Sequence, residues 1–485
     1  MKNSKCKKHF PNKLPSVQLL QLCFWLWVAS AFAIIIIITI FVTAWAVKST
    51  LSAVPQLSEG QTRIVTALIE FPDLVTGAAK EVQAMLSDLP RPLLIIRQSH
   101  EQPNWIRRFP KSDDSGYLLL AGVDQMEKQS IVQLIRIADG ISVAKWVPDW
   151  PTIFEKQIAK KYAPVVSPTV GQANSPLLLP NGDIVFNTST SLVRLSICSQ
   201  KPVWVLDKVM HHSIDLDPNG TLWVPSVSQE GLADNPWIRE RIRDDALARI
   251  SMDGKLLEIH SFAQVLLDNG FQALLLGMFG SRLNADPIHM NQIRVATQES
   301  KYWNRGDLLI SARHLSTVFL YRPSTGKIFW HQTGPWMNQH SADFVDKHRI
   351  SVFDNNVISI APKEHAFLTP GETNRVVLYD FDTGQTSQPF ATLLAEARPV
   401  TITGGVARVL PDGGLFIEET NYGRHLRFTR DQLLWSRVND YNNKYIGSVS
   451  MSRYLTADEA KGPLQAIAVQ NCSAERAIGS TITPS

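Results

Sequence analysis

Hydrophobic and polar positions alternate in short runs over most of the chain, and these runs recur as one two-strand pattern. In each copy an apolar, often β-branched run leads through a tight turn into a second run, and several turns contain Asp-Gly or Thr-Gly. Glycine accepts a positive φ without steric cost, so these turns predict β-hairpins. The copies are residues 131–146, 191–206, 246–260, 317–332, 375–390 and 423–438.

Each predicted hairpin is preceded by a further strand that follows a turn, and we take this strand as the inner strand of its unit. These strands are 115–122, 180–186, 217–225, 305–312, 346–353 and 411–419. Three or more strands per unit, six units and few helical patterns predict an all-β fold, a six-bladed β-propeller. A β-sandwich is the competing fold, but the even recurrence of one unit favours the propeller.

A different pattern occupies the N-terminus. Residues 24–47 form an uncharged apolar run of 24 positions, and about 20 suffice to cross a bilayer. The lysines of the first 20 residues should stay cytoplasmic, which would place everything after residue 48 outside. A cleaved signal peptide is the alternative, because Ala44-Trp45-Ala46 fits a small-x-small cleavage site. The run is longer than a signal peptide needs, so we predict a transmembrane anchor over 21–47.

The rest of the predicted organisation follows from these two patterns. A basic tail covers 1–20, a short helical stalk with interrupting prolines covers 48–100, the propeller covers 101–460, and a tail covers 461–485. The net charge of +4 comes from the N-terminus, because residues 1–47 hold five lysines and no acidic residue. No basic surface for nucleic acid is therefore predicted.

Cysteines add one conditional prediction. The four cysteines, at positions 6, 23, 198 and 472, are too few and too scattered for a disulfide scaffold or a zinc site. If the propeller lies in an oxidising compartment, Cys198 and Cys472 could pair, whereas Cys6 and Cys23 could not reach them.

Two histidines open the same short motif at the same position of the repeat. His212 begins H-S-I-D eight residues before Gly220, in the turn of the third unit. His340 begins H-S-A-D eight residues before His348, in the corresponding turn of the fifth unit. The sequence therefore places two imidazoles at equivalent positions of two blades.

Three further polar residues flank the predicted inner strands. His289 precedes the inner strand of the fourth unit, and Arg313 follows that strand directly. Asn421 follows the equivalent strand of the sixth unit and is a candidate substrate contact. Equivalent positions in a radial fold face one axis, so the histidines and the arginine should converge at one mouth of the channel. His340 is then expected to line an open channel.

These residues also have a purely structural interpretation. A histidine near a strand is more often a satisfied polar residue than a catalytic one, and H-S-x-D could serve only hydrogen bonds between blades. However, burying Arg313 without an anionic partner is costly. Histidines with an arginine suit a carboxylate, phosphate or sulfate, whereas a metal would prefer histidines without the arginine. We predict an anion-binding site and no metal.

Four segments closely resemble the bacterial arylsulfate sulfotransferase family, over roughly residues 170–440. They read HHSIDLDPNGTLWV, IHMNQI, ISARHLSTVFLYRPSTGKIFW and NQHSADFVDKHRISVFDNN. The family's motif residues fall on His212, on His289 with Asn291, on Arg313 with His314, and on His340. The chain departs from the family at Asn356, where glycine often follows F-D-N, and in its predicted anchor and stalk.

The resemblance implies a six-bladed propeller that moves a sulfuryl group from a phenolic sulfate to another phenol, with no nucleotide donor and no cofactor. It implies that His340 is the nucleophile, that Arg313 binds sulfuryl oxygens, and that His212 or His289 is the general acid and base. Asn291 and His314 are implied substrate contacts. Combined with the anchor, it implies a single-pass protein of a bacterial inner membrane, with a periplasmic or extracellular catalytic domain.

Two other classes of function compete with this interpretation. A catalytically silent propeller, anchored as a binding or assembly platform, would keep the blades but should lose the converging histidines and arginine. A redox propeller would need stacked tryptophans or adjacent cysteines in its channel. The 13 tryptophans are spread over anchor, blades and loops, and no two cysteines are adjacent.

Overall fold

The computed structural model of the protein describes most of the predicted propeller. The described residues are 93–97, 113–155, 171–228, 242–277, 285–361, 364–368 and 373–470, with four isolated positions near the N-terminus. The chain divides into two compact units, Met1–Ser87 and Asp88–Ser485. Within the described part of the chain, no helix is both long enough and apolar enough to cross a membrane.

Several N- and C-terminal predictions fall outside the described residues. They are the tail 1–20, nearly all of the anchor 21–47, most of the stalk 48–100 and the end of the tail 461–485. Within the anchor, Ile34, Ile37, Ile38 and Phe41 are described, and each is helical and exposed. The anchor therefore stays a prediction.

The described residues are mostly strands. In chain order they are β1 (Leu94–Ile96), β2 (Tyr117–Asp124), β3 (Gln129–Arg136), β4 (Ser142–Trp146), β5 (Asn174–Leu178), β6 (Ile184–Asn187), β7 (Leu192–Leu195), β8 (Pro202–Leu206), β9 (Asp215–Leu216), β10 (Leu222–Val227), β11 (Asp245–Ile250), β12 (Leu256–Ser261), β13 (Met290–Val295), β14 (Leu308–Ala312), β15 (Thr317–Arg322), β16 (Lys327–Thr333), β17 (Ala342–Phe344), β18 (Arg349–Asp354), β19 (Val357–Ala361), β20 (Glu364–Leu368), β21 (Arg375–Asp380), β22 (Gln385–Ser387), β23 (Val406–Val409), β24 (Leu415–Glu419), β25 (Arg424–Phe428), β26 (Leu433–Val438), β27 (Tyr445–Gly447) and β28 (Arg453–Leu455). The described helices of this unit are α1 (Trp150–Phe154), α2 (Phe262–Asp268), α3 (Gln272–Leu276), α4 (Ala391–Ala397) and α5 (Ala457–Val469), with a 3₁₀ turn at Thr420–Tyr422.

These strands form six four-stranded antiparallel sheets, one for each predicted unit. In order they are blade 1 (β28-β2-β3-β4), blade 2 (β5-β6-β7-β8), blade 3 (β9-β10-β11-β12), blade 4 (β13-β14-β15-β16), blade 5 (β17-β18-β21-β22) and blade 6 (β23-β24-β25-β26). All six predicted hairpins supply the last two strands of a blade. The predicted six-bladed propeller is confirmed.

The innermost strand of each blade differs from the prediction. In blade 4, β16 alternates between exposed and half-buried side chains, whereas β13 at the opposite edge is almost entirely buried. The outer edge of the sheet is therefore β16, and the innermost strand is β13. The strands taken as inner, such as 305–312, are second in their sheets. Several of the true innermost strands are short, and β9 has only two residues, but β13 was missed although it has six.

Strands in the middle of each blade are buried on both faces, because each blade packs against two neighbours. In β14, Leu308 and Ile310 join the core shared with blade 3, whereas Leu309 joins the core shared with blade 5. Six such apolar clusters occupy the six interfaces from blade 1 round to blade 6 and back to blade 1. Burial on both faces explains the continuous apolar runs of these strands.

The two ends of the propeller chain meet in blade 1. The late strand β28 pairs with β2, with Tyr117 opposite Leu455, and so supplies the innermost strand of the first blade. The 13-residue helix α5 follows it, although no long helix was expected in this region. Part of the predicted helical stalk is also different, because β1 is a strand that pairs with β27.

Candidate active site

Three of the predicted site residues lie where the chain enters the innermost strands of blades 3, 4 and 5. His212, three residues before β9, has a φ of 56°, and His289, directly before β13, has a φ of 50°. Asn338, two residues before His340, has a φ of 52°. A positive φ is uncommon for residues other than glycine and often marks a functional position. Each of these turns thus contains a residue with a positive φ, which is the histidine itself in blades 3 and 4 and Asn338 in blade 5.

The rings of these residues form one cluster, which we call the histidine cluster: His211, His212, His289, His314 and His340. The ring centroid of His212 lies 5.2 Å from that of His340 and 5.6 Å from that of His289. His289 and His314 are closer, at 4.4 Å. The structure therefore brings together the three histidines that the repeat placed at equivalent positions.

His340 is buried rather than open to the channel as expected, with 3% of its surface exposed. Its backbone N–H donates to the Phe353 carbonyl at 2.9 Å, which fixes it beside β18. Burial, then the positive charge of Arg313, lowers the pKa of His340 to about 3. Its Nδ1 has no hydrogen-bond partner among the described residues. His340 is therefore a neutral imidazole at pH 7 with an unsatisfied ring nitrogen.

Arg313 extends from the end of β14 and is also buried, with 7% exposed. Its Nη1 donates to His314 Nε2 at 2.9 Å, and its Nε has no hydrogen-bond partner in the described part of the protein. No described carboxylate lies within ion-pair distance of the guanidinium. Burial lowers the pKa of Arg313 and the charge of Asp286 partly offsets this, but a guanidinium stays protonated at neutral pH. An anionic ligand would balance the charge of the guanidinium and accept a hydrogen bond from its Nε.

His314 supports Arg313 with both of its ring nitrogens. Its Nδ1 lies 2.6 Å from the Asp286 carbonyl, which can only accept, so Nδ1 carries the proton and Nε2 accepts from Arg313. Burial, followed by the charge of His289, lowers the pKa of His314 to about 4, which keeps the ring neutral. His314 thus orients the guanidinium, and its implied substrate contact stays a prediction.

Four residues of the site were missed in the sequence: His211, Arg243, Asp245 and Asp286. His211 is buried, and its Nδ1 lies 2.7 Å from His212 Nδ1. Asp245 accepts from the Met290 amide at 2.5 Å and lies 3.4 Å from His211 Nε2. The signals available were the H-H pair, which occurs once in the chain, and the D-D pair at 244–245, which also occurs at 113–114 and so does not mark the site.

A second arginine lies beside these groups. Arg243 Nε is 3.3 Å from Asp245 Oδ1, and its Nη1 is 4.0 Å from Asp286 Oδ2. Its charge is one reason why the pKa values of His211 and His212 are lowered, although burial is the larger cause for both. Two arginines therefore flank the histidine cluster.

The two predicted asparagines both make hydrogen bonds within the protein, although Asn291 Oδ1 is buried without a hydrogen-bond partner among the described residues. Asn291 donates to the Gln339 carbonyl at 3.2 Å and so fixes the residue before His340. Asn421 Oδ1 accepts from the amides of Ile402 and Thr403, both at 2.8 Å. Asn421 orders its own loop, and none of its hydrogen bonds among the described residues reaches the histidine cluster. Its predicted substrate contact is left untested.

The H-S-x-D motif divides into two roles. Ser213 Oγ accepts from the Ile293 amide at 2.9 Å, and Asp215 Oδ2 accepts from the Val295 amide at 2.7 Å, so both hold strand β13 of the next blade. Ser341 likewise accepts from the Ala407 amide at 3.2 Å in blade 6. The serine and aspartate thus serve hydrogen bonds between blades, whereas the histidine turns toward the cluster.

Three residues of the site lie close enough together to be considered as ligands of a metal ion. Ligand atoms of Asp286, His289 and His314 lie within 4.8 Å of one another. Both nitrogens of His314 are already used, and two arginines lie beside the group, so these residues do not suit a cation. His348, Asp380 and Asp382, of which only Asp382 is exposed, also approach one another, but they already pair among themselves and with Lys301.

Comparison with protein families decides the classification. Residues 175–440 match the family model described as Arylsulfotransferase (ASST), which is more than half of the 485-residue chain. The chain belongs to the arylsulfotransferase family. The resemblance carried by the four motif segments is thereby confirmed, and an arylsulfotransferase is a transferase whose substrates are aryl sulfates and phenols. Comparison with curated proteins finds no match.

Solved structures resemble this arylsulfotransferase-family chain only distantly. A protein of unknown function from Bacteroides caccae is 12% identical, with 70% of this chain and 99% of that chain covered and a TM-score of 0.41. Hydrazine synthase from Kuenenia stuttgartiensis is 11% identical, with coverages of 66% and 79% and a TM-score of 0.36. TolB from Acinetobacter baumannii is 9% identical, with coverages of 71% and 67% and a TM-score of 0.40. Similarities this low transfer no function.

Proposed function

We propose that this protein transfers a sulfuryl group from an aryl sulfate to a phenolic or other hydroxyl acceptor, through a sulfated His340. The proposal rests on one observation: two buried groups of the same site each lack a hydrogen-bond partner. His340 is neutral with an unsatisfied Nδ1, and Arg313 is a buried cation with an unsatisfied Nε and no carboxylate beside it in the described structure. A sulfate ester supplies both the electrophile and the anion that these groups lack.

The first half-reaction transfers the group to the protein. The lone pair of a His340 ring nitrogen forms the N–S bond while the S–O bond to the aryl group breaks, and the bonding pair leaves on the phenolate oxygen. A protonated imidazole of the histidine cluster gives that oxygen a proton, so phenol departs. The nitrogen is nucleophilic because burial keeps His340 uncharged at neutral pH.

The second half-reaction reverses these steps with the acceptor. The imidazole that lost its proton removes the proton of the acceptor hydroxyl, the oxygen attacks sulfur, and the N–S bond breaks to return neutral His340. Sulfuryl transfer, like phosphoryl transfer, spreads charge over the peripheral oxygens, so catalysis is mainly positioning and electrostatic stabilisation. Arg313 offers a planar set of donors that fits two of those oxygens.

The competing silent platform has less support. A platform has no need for a cation whose charge is left without a carboxylate, since such a group is costly to bury. Here Arg313 and the histidine cluster are held by hydrogen bonds from several blades, which favours a site that binds and activates an anion.

We also propose that the protein is anchored in a bacterial inner membrane through 21–47, with the propeller outside the cytoplasm. Two features support this: the uncharged run follows a lysine-rich tail, and Ile34, Ile37, Ile38 and Phe41 expose apolar side chains from helical positions. Exposed side chains of this kind suit a lipid environment.

The decisive experiment mixes the full-length protein with a chromogenic aryl sulfate in the absence of acceptor. The expected result is a stoichiometric burst of phenol and a sulfated peptide spanning residue 340, recovered under neutral or alkaline workup. His340→Asn should give no burst, while His348→Asn, a half-buried histidine of the same blade outside the histidine cluster, should give a normal one. A burst that survives in His340→Asn, with a sulfated peptide elsewhere, would overturn the assignment of the carrier.

A further inference from the structure

Two imidazoles flank His340, but their Nδ1 atoms have different partners. His289 Nδ1 lies 2.5 Å from a carboxylate oxygen, Asp286 Oδ2. His212 Nδ1 lies 2.7 Å from another imidazole nitrogen, Nδ1 of His211. Because a carboxylate oxygen and an imidazole nitrogen differ in charge, the two rings are unequal as proton donors.

The protons of the His211–His212 pair can be placed from their contacts. His211 Nε2 lies 3.3 Å from the Ser226 carbonyl, which can only accept, so Nε2 carries the proton. Burial, then the charge of Arg243, lowers the pKa of His211, which keeps it neutral with a lone pair on Nδ1. His212 must therefore donate from Nδ1. Its partner carries no charge, and burial lowers the pKa of His212 well below its usual value.

The Nδ1–H of His289, unlike that of His212, has a charged partner. Its Nδ1 donates to Asp286, which leaves Nε2, on the far side of the ring, to exchange a proton with substrate. Burial raises the pKa of Asp286, but the His289 hydrogen bond and the charges of His289, Arg243 and His314 outweigh it and lower that pKa overall. The carboxylate is therefore ionised at neutral pH, and it holds the Nδ1 side of His289 so that Nε2 is the free end of the ring.

The segment that carries Asp286 is fixed by hydrogen bonds to two successive backbone carbonyls, those of Ala285 and of Asp286 itself. The Ala285 carbonyl accepts from the Arg243 amide at 2.6 Å, which ties the segment to blade 3. The Asp286 carbonyl accepts from His314 Nδ1 at 2.6 Å, which ties it to the end of β14. The carboxylate thus has a defined position against the His289 ring.

We propose that Asp286 is a positioning residue that makes His289, rather than His212, the general acid and base of the sulfuryl transfer. The inference rests on the proposed function and adds its proton path. In the first half-reaction His289 Nε2–H gives its proton to the leaving phenolate oxygen as the S–O bond breaks. In the second, neutral His289 takes the acceptor's hydroxyl proton, and Asp286 stays ionised throughout.

The test compares Asp286→Asn with the unchanged protein on two donors, 4-nitrophenyl sulfate and phenyl sulfate. 4-Nitrophenolate leaves readily without a proton, whereas unsubstituted phenolate needs one. We expect a loss of about 10²-fold or more with phenyl sulfate, the usual contribution of a general acid, and a much smaller loss with 4-nitrophenyl sulfate. Asp268→Asn, an exposed aspartate on α2, should change neither rate.

The pH profile separates a proton role from a purely structural one. The groups facing His289 are Asp286, His314 and Arg313 from blade 4, Arg243, Asp245, His211 and His212 from blade 3, and His340 from blade 5. Among the described residues, Asp286 is the carboxylate in contact with the His289 ring, and Asp286→Asn removes it while Asp245 stays. Since a carboxylate favours the protonated ring, the alkaline limb of kcat/KM should move down by about one pH unit or more.

His289→Gln should show the same dependence on the leaving group, and the double variant should be no slower than His289→Gln alone. Equal losses on both donors with an unmoved alkaline limb would overturn the role of Asp286. If Asp286→Asn folds poorly, Asp286→Glu applies the same two readouts with the carboxylate retained, and rates near the unchanged protein would support the proposal. The proposed function is tested separately, by the sulfated peptide of the unchanged protein and its loss in His340→Asn. Those two results do not depend on what the Asp286 and His289 variants do.

Discussion

The carbonyl of His289 accepts a hydrogen bond from the amide of Arg313, at 3.1 Å. The two residues lie at the adjoining ends of β13 and β14, where Met290 pairs with Ala312. One pair of antiparallel strands therefore positions both the proposed proton donor and the proposed binding group for the sulfuryl oxygens. A shift in this register would displace both groups together.

Arg313→Lys tests whether the guanidinium fork, rather than its charge, is needed. Lysine keeps the charge, but its three N–H donors radiate from one nitrogen and cannot reproduce the planar fork that reaches His314 and two sulfuryl oxygens from different nitrogens. We expect turnover to fall by about 10²-fold or more, as when an oxyanion donor is lost. Steady-state kinetics with a chromogenic aryl sulfate measures this, and the melting temperature checks that the fold is kept.

The matched control is Arg305→Lys, an exposed arginine in the turn before β14, which should leave turnover unchanged. Near-normal turnover in Arg313→Lys would show that the arginine does not bind the transferred group through its fork.

The blades could be predicted from the sequence because each contributes its own local pattern. The hairpins such as 317–332 carry their alternation and their turn glycine within some 16 residues, and they occur where expected. The innermost strands carry no such pattern. Strand β9 has two residues and is held by its neighbours, so only the assembled ring defines it.

The site residues also fall into some that the sequence could predict and some that it could not. His212 and His340 could be found because a motif repeats at one position of two units. Asp286 and Arg243 could not be found, because they come from different blades and approach each other only when blades 3 and 4 pack together. The positive φ of Asn356, 53°, accounts for the glycine that the family often has there, since asparagine tolerates this conformation. That departure therefore concerns a turn.

The buried histidines predict a loss of stability in mild acid. The pKa of His340 is lowered to about 3 and that of His314 to about 4, while unfolded histidine titrates near 6.5. Between these values the unfolded chain binds more protons than the folded one, so stability falls as pH decreases from about 6.5. For His340 alone the loss at pH 4.5 is about 2 to 3 kcal/mol.

Denaturant unfolding of the full-length protein at pH 7.5 and pH 4.5 measures this loss. His340→Asn should lose less stability on acidification than the unchanged protein, because its asparagine does not titrate. His331→Asn, at an exposed histidine of β16 for which no ion pair is seen among the described residues, should behave like the unchanged protein. An identical pH slope in all three would mean that His340 is not held neutral by the fold.

The predicted anchor can be tested by its topology. A lysine-rich tail before an apolar run of 24 residues should leave the N-terminus in the cytoplasm and the propeller outside. An alkaline phosphatase reporter fused after residue 485 should then be active, and a reporter that works only in the cytoplasm should be inactive. The full-length protein should remain in the membrane fraction after alkaline wash, whereas a soluble form beginning near residue 47 would support a cleaved signal instead.

The C-terminal helix offers an independent test of the compartment. Cys198 is disulfide-bonded, and its partner lies outside the described residues. We expect that partner to be Cys472, because Gln470 at the end of α5 places its Oε1 3.1 Å from Cys198 Sγ and donates to the Asn181 carbonyl at 2.6 Å. Such a bond would fix the end of α5 to blade 2 and stabilise the closed ring by about 2 to 5 kcal/mol.

Cys198→Ser and Cys472→Ser should each lower the melting temperature by several degrees without reductant, and the double variant should lose no more than either single one. Cys23→Ser should leave the melting temperature unchanged. Peptide mapping of the unreduced protein should recover the two cysteines in one linked peptide, and free thiol at Cys198 in freshly isolated protein would contradict both the pairing and an oxidising location for the propeller.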